Sequence, residues 1–351
     1  MGRTMRMEEL LNEALKRKAS DVHLAAGYPP ILRVDGDLVP LKAAALTAKA
    51  VETMVREIAG EAHWKRFAST HEEDFAYDID GARFRVNLHV EQGRPAFAAR
   101  LIGSKIPSFD DLMLSPAVRG LTEVENGLII FTGPAGSGKS TAIASLLADI
   151  IARKPVHLVT MEDPVEYVFA PGVGLVKQRE VGSDTASFAE ALRRALRQDP
   201  DVIMVGEMRD PETIASALTL AETGHLVFST LHTSSAPQAV HRIVDSFVGN
   251  QQEQVRRQLS LSLRAVVAQV LLPRKGGGQV AARELLVNNA AVSNLIRENK
   301  VEQIASAMQT GRAEGMITMD RVIQDLVSEG LVDAKAVEAR LAATGTLRRK
   351  R

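Results

Sequence analysis

Along residues 7–19 the apolar positions Leu10, Leu11, Ala14 and Leu15 recur at helical spacing among charged ones, and Ser20-Asp21 then leads into Val22-His23-Leu24. The pattern predicts a helix followed by a strand. Three further stretches, Ile31–Val39, Asp74–Ile79 and Arg83–Val90, alternate apolar and polar residues, with Asp35-Gly36 and Asp80-Gly81 as turn signals. Such alternation marks a small α+β domain with a half-exposed antiparallel sheet. Between residues 103 and 120 it gives way to Gly103, Pro107, Asp110-Asp111, Ser115-Pro116 and Gly120, the composition of a hinge. Beyond that point the period changes. Short apolar runs at Gly127–Thr132, Val156–Thr160, Asp201–Val205 and His225–Thr230 are separated by helical stretches, which predicts a parallel sheet covered by helices. Lys275-Gly276-Gly277-Gly278 reads as a hairpin turn and residues 290–341 as helices. The expected organisation is an N-terminal domain at 1–108, a hinge or linker at 109–120 and a C-terminal domain at 121–351.

Composition narrows the function classes. A chain of 351 residues has room for two domains of roughly 150 residues, each with its own core. With 43 Lys+Arg against 43 Asp+Glu there is no global field to attract nucleic acid or an anionic membrane, and no nucleic-acid partner is expected. Zero cysteines exclude disulfides, thiolate zinc sites and a cysteine nucleophile. The start, Met1–Leu10, lacks the apolar core of a secretory signal, and the most apolar stretch, Ala142–Ala152, is far shorter than the roughly 20 residues of a membrane span. A cytoplasmic protein is expected, with only peripheral membrane association.

Candidate chemistry is concentrated in the second half. Gly133-Pro134-Ala135-Gly136-Ser137-Gly138-Lys139-Ser140-Thr141 follows one predicted strand and opens a helix, the context that the Gly-x-x-x-x-Gly-Lys-Ser phosphate loop requires. The glycines let successive backbone N–H groups and the helix N-terminus converge on a β-phosphate. In this reading Lys139 reaches the β- and γ-phosphates, Ser140 supplies a hydroxyl oxygen to Mg²⁺, and Thr141 lies near the α-phosphate.

Hydrolysis also needs carboxylates at the ends of neighbouring strands. Glu162-Asp163-Pro164-Val165-Glu166 ends one strand and Glu207 another, with Gly206 standing where many nucleotide hydrolases have an aspartate. Glu207 then serves Mg²⁺, through water, alone or with Glu162 or Asp163. His225 and His232 bracket a third strand; seven positions apart, they face opposite sides of a continuous strand and are not expected to share a metal. His232 lies at the C-terminal end, where ligands bind in such sheets, and is the better sensor of the γ-phosphate.

Four blocks, namely the phosphate loop, Met161-Glu-Asp-Pro-Val-Glu-Tyr167, Val205-Gly-Glu-Met-Arg-Asp210 and Thr223-Gly-His-Leu-Val-Phe-Ser-Thr-Leu-His-Thr233, together resemble the Walker A, Asp, Walker B and His boxes of the bacterial secretion ATPase superfamily. The resemblance implies an α/β fold, with a RecA-like P-loop ATPase domain and an N-terminal α+β PAS-like domain to which Ala19–Leu24 and Arg83–Asn87 are similar. Within the superfamily the type IV pilus retraction motors are most similar. Ala291–Glu298 resembles their C-terminal Ala-Ile-Arg-Asn-Leu-Ile-Arg-Glu motif, with Val292-Ser293 in place of Ile-Arg, and a chain without cysteine cannot form the tetracysteine zinc site of the extension and type II secretion ATPases.

The resemblance further implies ATP and Mg²⁺ as cofactors and a homohexamer in which Arg85 and Arg100 complete the nucleotide site, with Arg83 and Arg94 as alternatives. Its partners would be the inner-membrane pilus platform protein and a paralogous retraction motor, and its place the cytoplasmic side of that membrane. Glu207, Glu162, His232, Arg85 and Arg100 are the implied catalytic set. Competing readings are a pilus extension or type II secretion ATPase, an accessory regulatory subunit, and a DNA-translocating ATPase, against which the neutral charge argues.

Overall fold

The computed structural model describes residues 5–34, 36–102, 106–335 and 337–338. Gly103, Asp35 of the first expected turn and the end of the expected C-terminal domain at 339–351 lie outside the described residues. The chain divides into two compact units, Met1–Lys105 and Ile106–Arg351.

The first unit contains α1 (Met7–Lys16), β1 (Asp21–Leu24), β2 (Ile31–Val34), β3 (Asp37–Pro40), α2 (Ala48–Thr70), β4 (Glu72–Ile79), β5 (Ala82–Glu91) and β6 (Arg94–Ile102). Its strands form one antiparallel sheet in the order β3-β2-β1-β6-β5-β4. Along β5 the residues Ala82, Phe84, Val86 and Leu88 are buried against the helices while Arg83, Arg85, Asn87 and His89 occupy the opposite face. The alternation read from the sequence is therefore the in–out alternation of a sheet covered on one side. Residues 48–70, for which no element was expected, form the longest helix among the described residues, with Val51, Met54, Val55 and Ile58 buried at helical spacing. It begins at Thr47, whose hydroxyl accepts from the Ala50 N–H at 3.1 Å, and is broken at Gly60 (φ 61°).

The second unit opens with α3 (Pro116–Arg119), followed by β7 (Gly127–Thr132), α4 (Lys139–Arg153), β8 (His157–Glu162), β9 (Leu175–Glu180), α5 (Phe188–Ala195) and β10 (Val202–Val205). It continues with α6 (Pro211–Glu222), β11 (Leu226–Leu231), α7 (Ala236–Asp245), α8 (Gly249–Ser262), β12 (Leu263–Pro273), β13 (Gln279–Val287), α9 (Ala290–Arg297), α10 (Ile304–Thr310) and α11 (Met319–Ser328). The sheet order is β13-β12-β7-β11-β10-β8-β9, parallel throughout except for the β12–β13 hairpin at one edge. Every residue of β7, β10 and β11 is buried, as expected of strands covered on both faces. One face packs on α5–α10 and the other on α4 together with Leu114, Val118 and Leu121. Residues 109–120, expected as a hinge, thus contribute core side chains to the second unit. Their hinge-like composition has local causes: Ser115 caps α3, Pro116 takes its first turn, and Asp110 pairs with Arg119 at 2.6 Å.

The hairpin edge is braced by a buried carboxylate. Glu284 on β13 accepts from the Ala236 N–H at 2.7 Å and from the Met319 N–H at 3.1 Å, the first residues of α7 and α11. It thereby satisfies two helix termini that otherwise lack an acceptor there. Replacing Glu284 by alanine should lower the unfolding free energy by about 2–4 kcal/mol, because two buried N–H groups lose their acceptor. Urea denaturation of the two proteins would measure this, and an unchanged midpoint would remove the brace.

Candidate nucleotide site

Parallel pairing brings the C-terminal ends of four strands together: Thr132 lies opposite Leu231, and Val205 lies opposite both Ser229 and Met161. The residues that follow these ends are Gly133, His232, Gly206-Glu207 and Glu162-Asp163. Hydroxyl side chains lace the edge. Thr132 donates to the Thr233 carbonyl at 2.6 Å, and Thr230 to the Gly206 carbonyl at 2.6 Å. Gly206 is closely surrounded: a Cβ there would sit 3.3 Å from the Met161 carbonyl oxygen and 3.4 Å from the Phe188 ring.

The loop from Gly133 to Gly138 wraps the start of α4. Pro134 is half-buried, Ala135 and Gly136 are exposed, and Ser137 and Lys139 are buried. Gly133 (φ +144°) passes β12 so closely that a Cβ would lie 2.2 Å from the Gln269 carbonyl oxygen, while Gly136 (+72°) and Gly138 (+81°) adopt the left-handed region. Lys139 Nζ donates to the carbonyls of Gly133 at 2.8 Å and Pro134 at 3.0 Å. Burial pushes its ammonium below the usual lysine value, against the opposing pull of Glu166 and Glu207. Inside the loop the Ser137 hydroxyl is buried with no hydrogen-bond partner among the described residues. Thr141 shares a 2.9 Å hydrogen bond with the Tyr167 hydroxyl.

The acidic residues separate by environment. Glu162 is buried, lining a small cleft with Ser140, Ala144, Glu166 and Tyr167, whereas Asp163 is exposed. Burial pushes the Glu162 carboxyl above the ordinary range. Hydrogen bonds from Thr160 (2.6 Å), Gln178 (3.2 Å) and the Glu166 N–H (3.2 Å) oppose this, and the Glu166 charge adds to it. Glu207 is held between Arg209 at 2.6 Å and His232 at 3.2 Å. His225 lies beyond the opposite end of β11, against the Leu220 carbonyl and Thr223 hydroxyl. The two histidines flank the strand and do not meet.

In the first unit Arg85 and Arg100 are direct cross-strand partners on the open sheet face. Arg100 binds Asp21 at 2.8 Å, and Arg85 is exposed without an ion pair among the described residues. Of the alternatives, Arg83 pairs with Asp78 at 2.8 Å and Arg94 is exposed.

Residues 109–350 match the family described as Type II/IV secretion system protein. The chain belongs to this family. It is 46% identical to the type IV pilus retraction ATPase PilT of Pseudomonas aeruginosa, over 93% of this chain and 96% of that one. It is also 46% identical to a twitching motility protein of Neisseria gonorrhoeae, over 89% of this chain and 84% of that one. Among solved structures, a crystal structure of the pilus retraction motor PilT with bound ADP aligns with a TM-score of 0.89 at 46% identity, covering 95% of this chain and 96% of that one.

The secretion-family match includes the C-terminal motif, which here forms α9. Val292 and Ile296 are buried, Leu295 is half-buried and Arg297 is exposed. Ser293, where the retraction motif has arginine, donates to the Ser260 carbonyl at 2.7 Å and so turns inward onto α8. Sequence reading missed Arg209, Thr160, Gln178 and Gln269. Only Gln269 carried a signal, as the lone polar residue in the run Ala265–Leu272. Gly133→Ala should abolish nucleotide binding, since it strains a positive φ by about 1–3 kcal/mol and drives a Cβ into β12. Titration with a fluorescent ADP analogue would measure it; wild-type affinity would show that the loop can retreat from the strand.

Proposed function

We propose that the chain is a Mg²⁺-dependent ATPase of a hexameric motor that powers type IV pilus retraction. The observation that carries the reading is the intact set of phosphate loop, Glu162, Glu207 and His232 at one sheet edge, in a chain alike over nearly its whole length to a retraction ATPase. The residues present suit a nucleotide with its metal. Gly133 excludes a Cβ, Lys139 has only carbonyl oxygens to bind, and the Ser137 hydroxyl has no partner among the described residues. Among the described residues no group of three His, Cys, Asp or Glu could cage a metal alone, and Mg²⁺ typically uses one or two protein ligands with substrate phosphates and water.

When bound, Mg²⁺ neutralises charge on the β- and γ-phosphates. Ser140 provides its hydroxyl ligand and Glu207 a carboxylate acting through water. Lys139 exchanges its two carbonyl partners for the phosphates, and Thr141 lies near the α-phosphate. Glu162, with three donors fixing its oxygens, accepts the proton of the attacking water. His232, whose imidazole touches Glu207, senses the γ-phosphate. In the assembled ring Arg85 and Arg100 neutralise the charge developing on that group.

ATP binding and hydrolysis close and release the two units in turn, driving the inner-membrane platform protein so that pilin leaves the fibre. A paralogous retraction motor can share the ring's work. No helix among the described residues is long and apolar enough to cross a membrane. The platform protein is the proposed attachment at the cytoplasmic side of the inner membrane.

Lys139→Ala should lose nucleotide binding. Glu162→Gln and Glu207→Ala should bind ATP yet turn over at least about a hundredfold more slowly, and Arg85→Ala or Arg100→Ala should show a comparable loss. Normal steady-state phosphate release by any of these would remove that residue from the mechanism. Because Glu162 must be ionised to take a proton and burial raises its pKa, kcat should fall on the acid side at a pH above the ordinary glutamate value of 4.5. A pH–rate profile locates that limb. Deleting the gene in the source organism should leave excess surface pili without twitching motility; loss of pili would mean an extension motor instead.

A further inference from the structure

Behind the phosphate loop lies a polar pair that the reaction scheme does not use. Strand β12 outruns β7: Ala268 pairs with Thr132, so Gln269 stands beside Gly133, the first loop residue. Gln269 is buried and donates from Nε2 to the Ser137 carbonyl at 2.5 Å. Its cross-strand partner on β13 is Arg283, also buried, whose Nε donates to Gln269 Oε1 at 2.8 Å. The Arg283 Nη1 donates onward to the carbonyls of Leu112 at 2.9 Å and Met113 at 3.5 Å. No carboxylate pairs with Arg283 among the described residues, and burial alone pushes its guanidinium down to about 10, leaving it charged at neutral pH.

A buried cation with no counter-ion is costly to keep. A structural role would be served as well by an apolar pair, so its presence points to the loop it supports. The Ser137 carbonyl and the Gly138 N–H belong to one planar trans peptide, so holding the carbonyl on β12 fixes that N–H on the opposite side. The amide of Gln269 can hold it only in one orientation, because Arg283 donates to its oxygen and leaves its nitrogen for Ser137. A phosphate that draws on the Gly138 N–H therefore pulls on Gln269, Arg283 and the main chain at 112–113.

We propose that Gln269 and Arg283 are positioning residues for the nucleotide phosphates, and that they tie the phosphate loop to Leu112–Met113 in the segment that enters the second unit, so that both respond together to nucleotide. The proposal rests on the nucleotide-binding reading given above. It is tested on the full chain with Gln269→Glu and Arg283→Lys. The first substitution gives Arg283 a counter-ion but cannot donate to Ser137. It should therefore keep or raise Tm while raising the KM for ATP about tenfold. The second keeps a positive charge but loses the planar fork. In wild type, ADP should slow hydrogen exchange at the phosphate loop and at the amides of residues 112–114, which bond to Ser108, Phe109 and Asp110 carbonyls. In Arg283→Lys the slowing at 112–114 should vanish while that at the loop persists. Wild-type KM in both variants, a KM that rises only in step with lost Tm, or ADP-dependent exchange at 112–114 unaltered by Arg283→Lys would overturn the proposal. Failure of the wild-type protein to bind ADP would instead sink the nucleotide reading and the proposal with it.

Discussion

Parallel hydrogen bonding between β8, β10, β11 and β7, in near register, is the constraint on which the rest of the second unit depends. It gathers the loops of four distant chain segments at one edge, and no loop on its own holds enough chemistry to act. Register is fixed by burial, because strands covered on both faces lose apolar contacts in any slip. The hydroxyls of Thr132, Ser229 and Thr230 then bond carbonyls of neighbouring loops and strands, so polar groups at the strand ends are satisfied without water.

Among the buried ionisable groups set against that apolar frame are Lys139, Glu162 and Arg283. For each, burial is the largest influence and disfavours the charged form. None is relieved by a close counter-ion. Glu162 has neutral donors, Lys139 and Arg283 have carbonyl and amide oxygens. Such groups cost stability in the absence of ligand, and perturbed groups of this kind collect at functional sites.

Most of the second unit was legible because its signals are local. Apolar runs of five or six residues, a glycine loop between strand and helix, and acids just past strand ends can each be read without knowing the partner. What escaped was set by partners. β9 (Leu175–Glu180) reads Leu-Val-Lys-Gln-Arg-Glu and lacks an apolar run because it is an edge strand, yet it supplies Gln178 to Glu162. Residues 109–120 looked like a linker because caps and turns use the same serines, aspartates, prolines and glycines as hinges. Their apolar side chains decide the matter: Leu114 and Val118 are buried in the core and Leu112 packs against it. In the first unit the alternation disclosed the sheet, but only the register sets Arg85 opposite Arg100.

The same dependence on neighbours shows at Gly206, just past the end of β10. A side chain at position 206 would press on the Met161 carbonyl and Phe188, which disfavours an acid there. The acid stands one residue along, at Glu207, where the backbone has left the sheet and the Met208 N–H bonds to Thr230. The glutamate side chain there has more freedom to lose than an aspartate would. Arg209 and His232 remove that freedom by engaging one oxygen each. A strand-borne aspartate would be oriented by the sheet alone. Glu207 is oriented by side chains, one of them the histidine that follows β11, so its position depends on the contacts that arginine and histidine make with anything that enters the site.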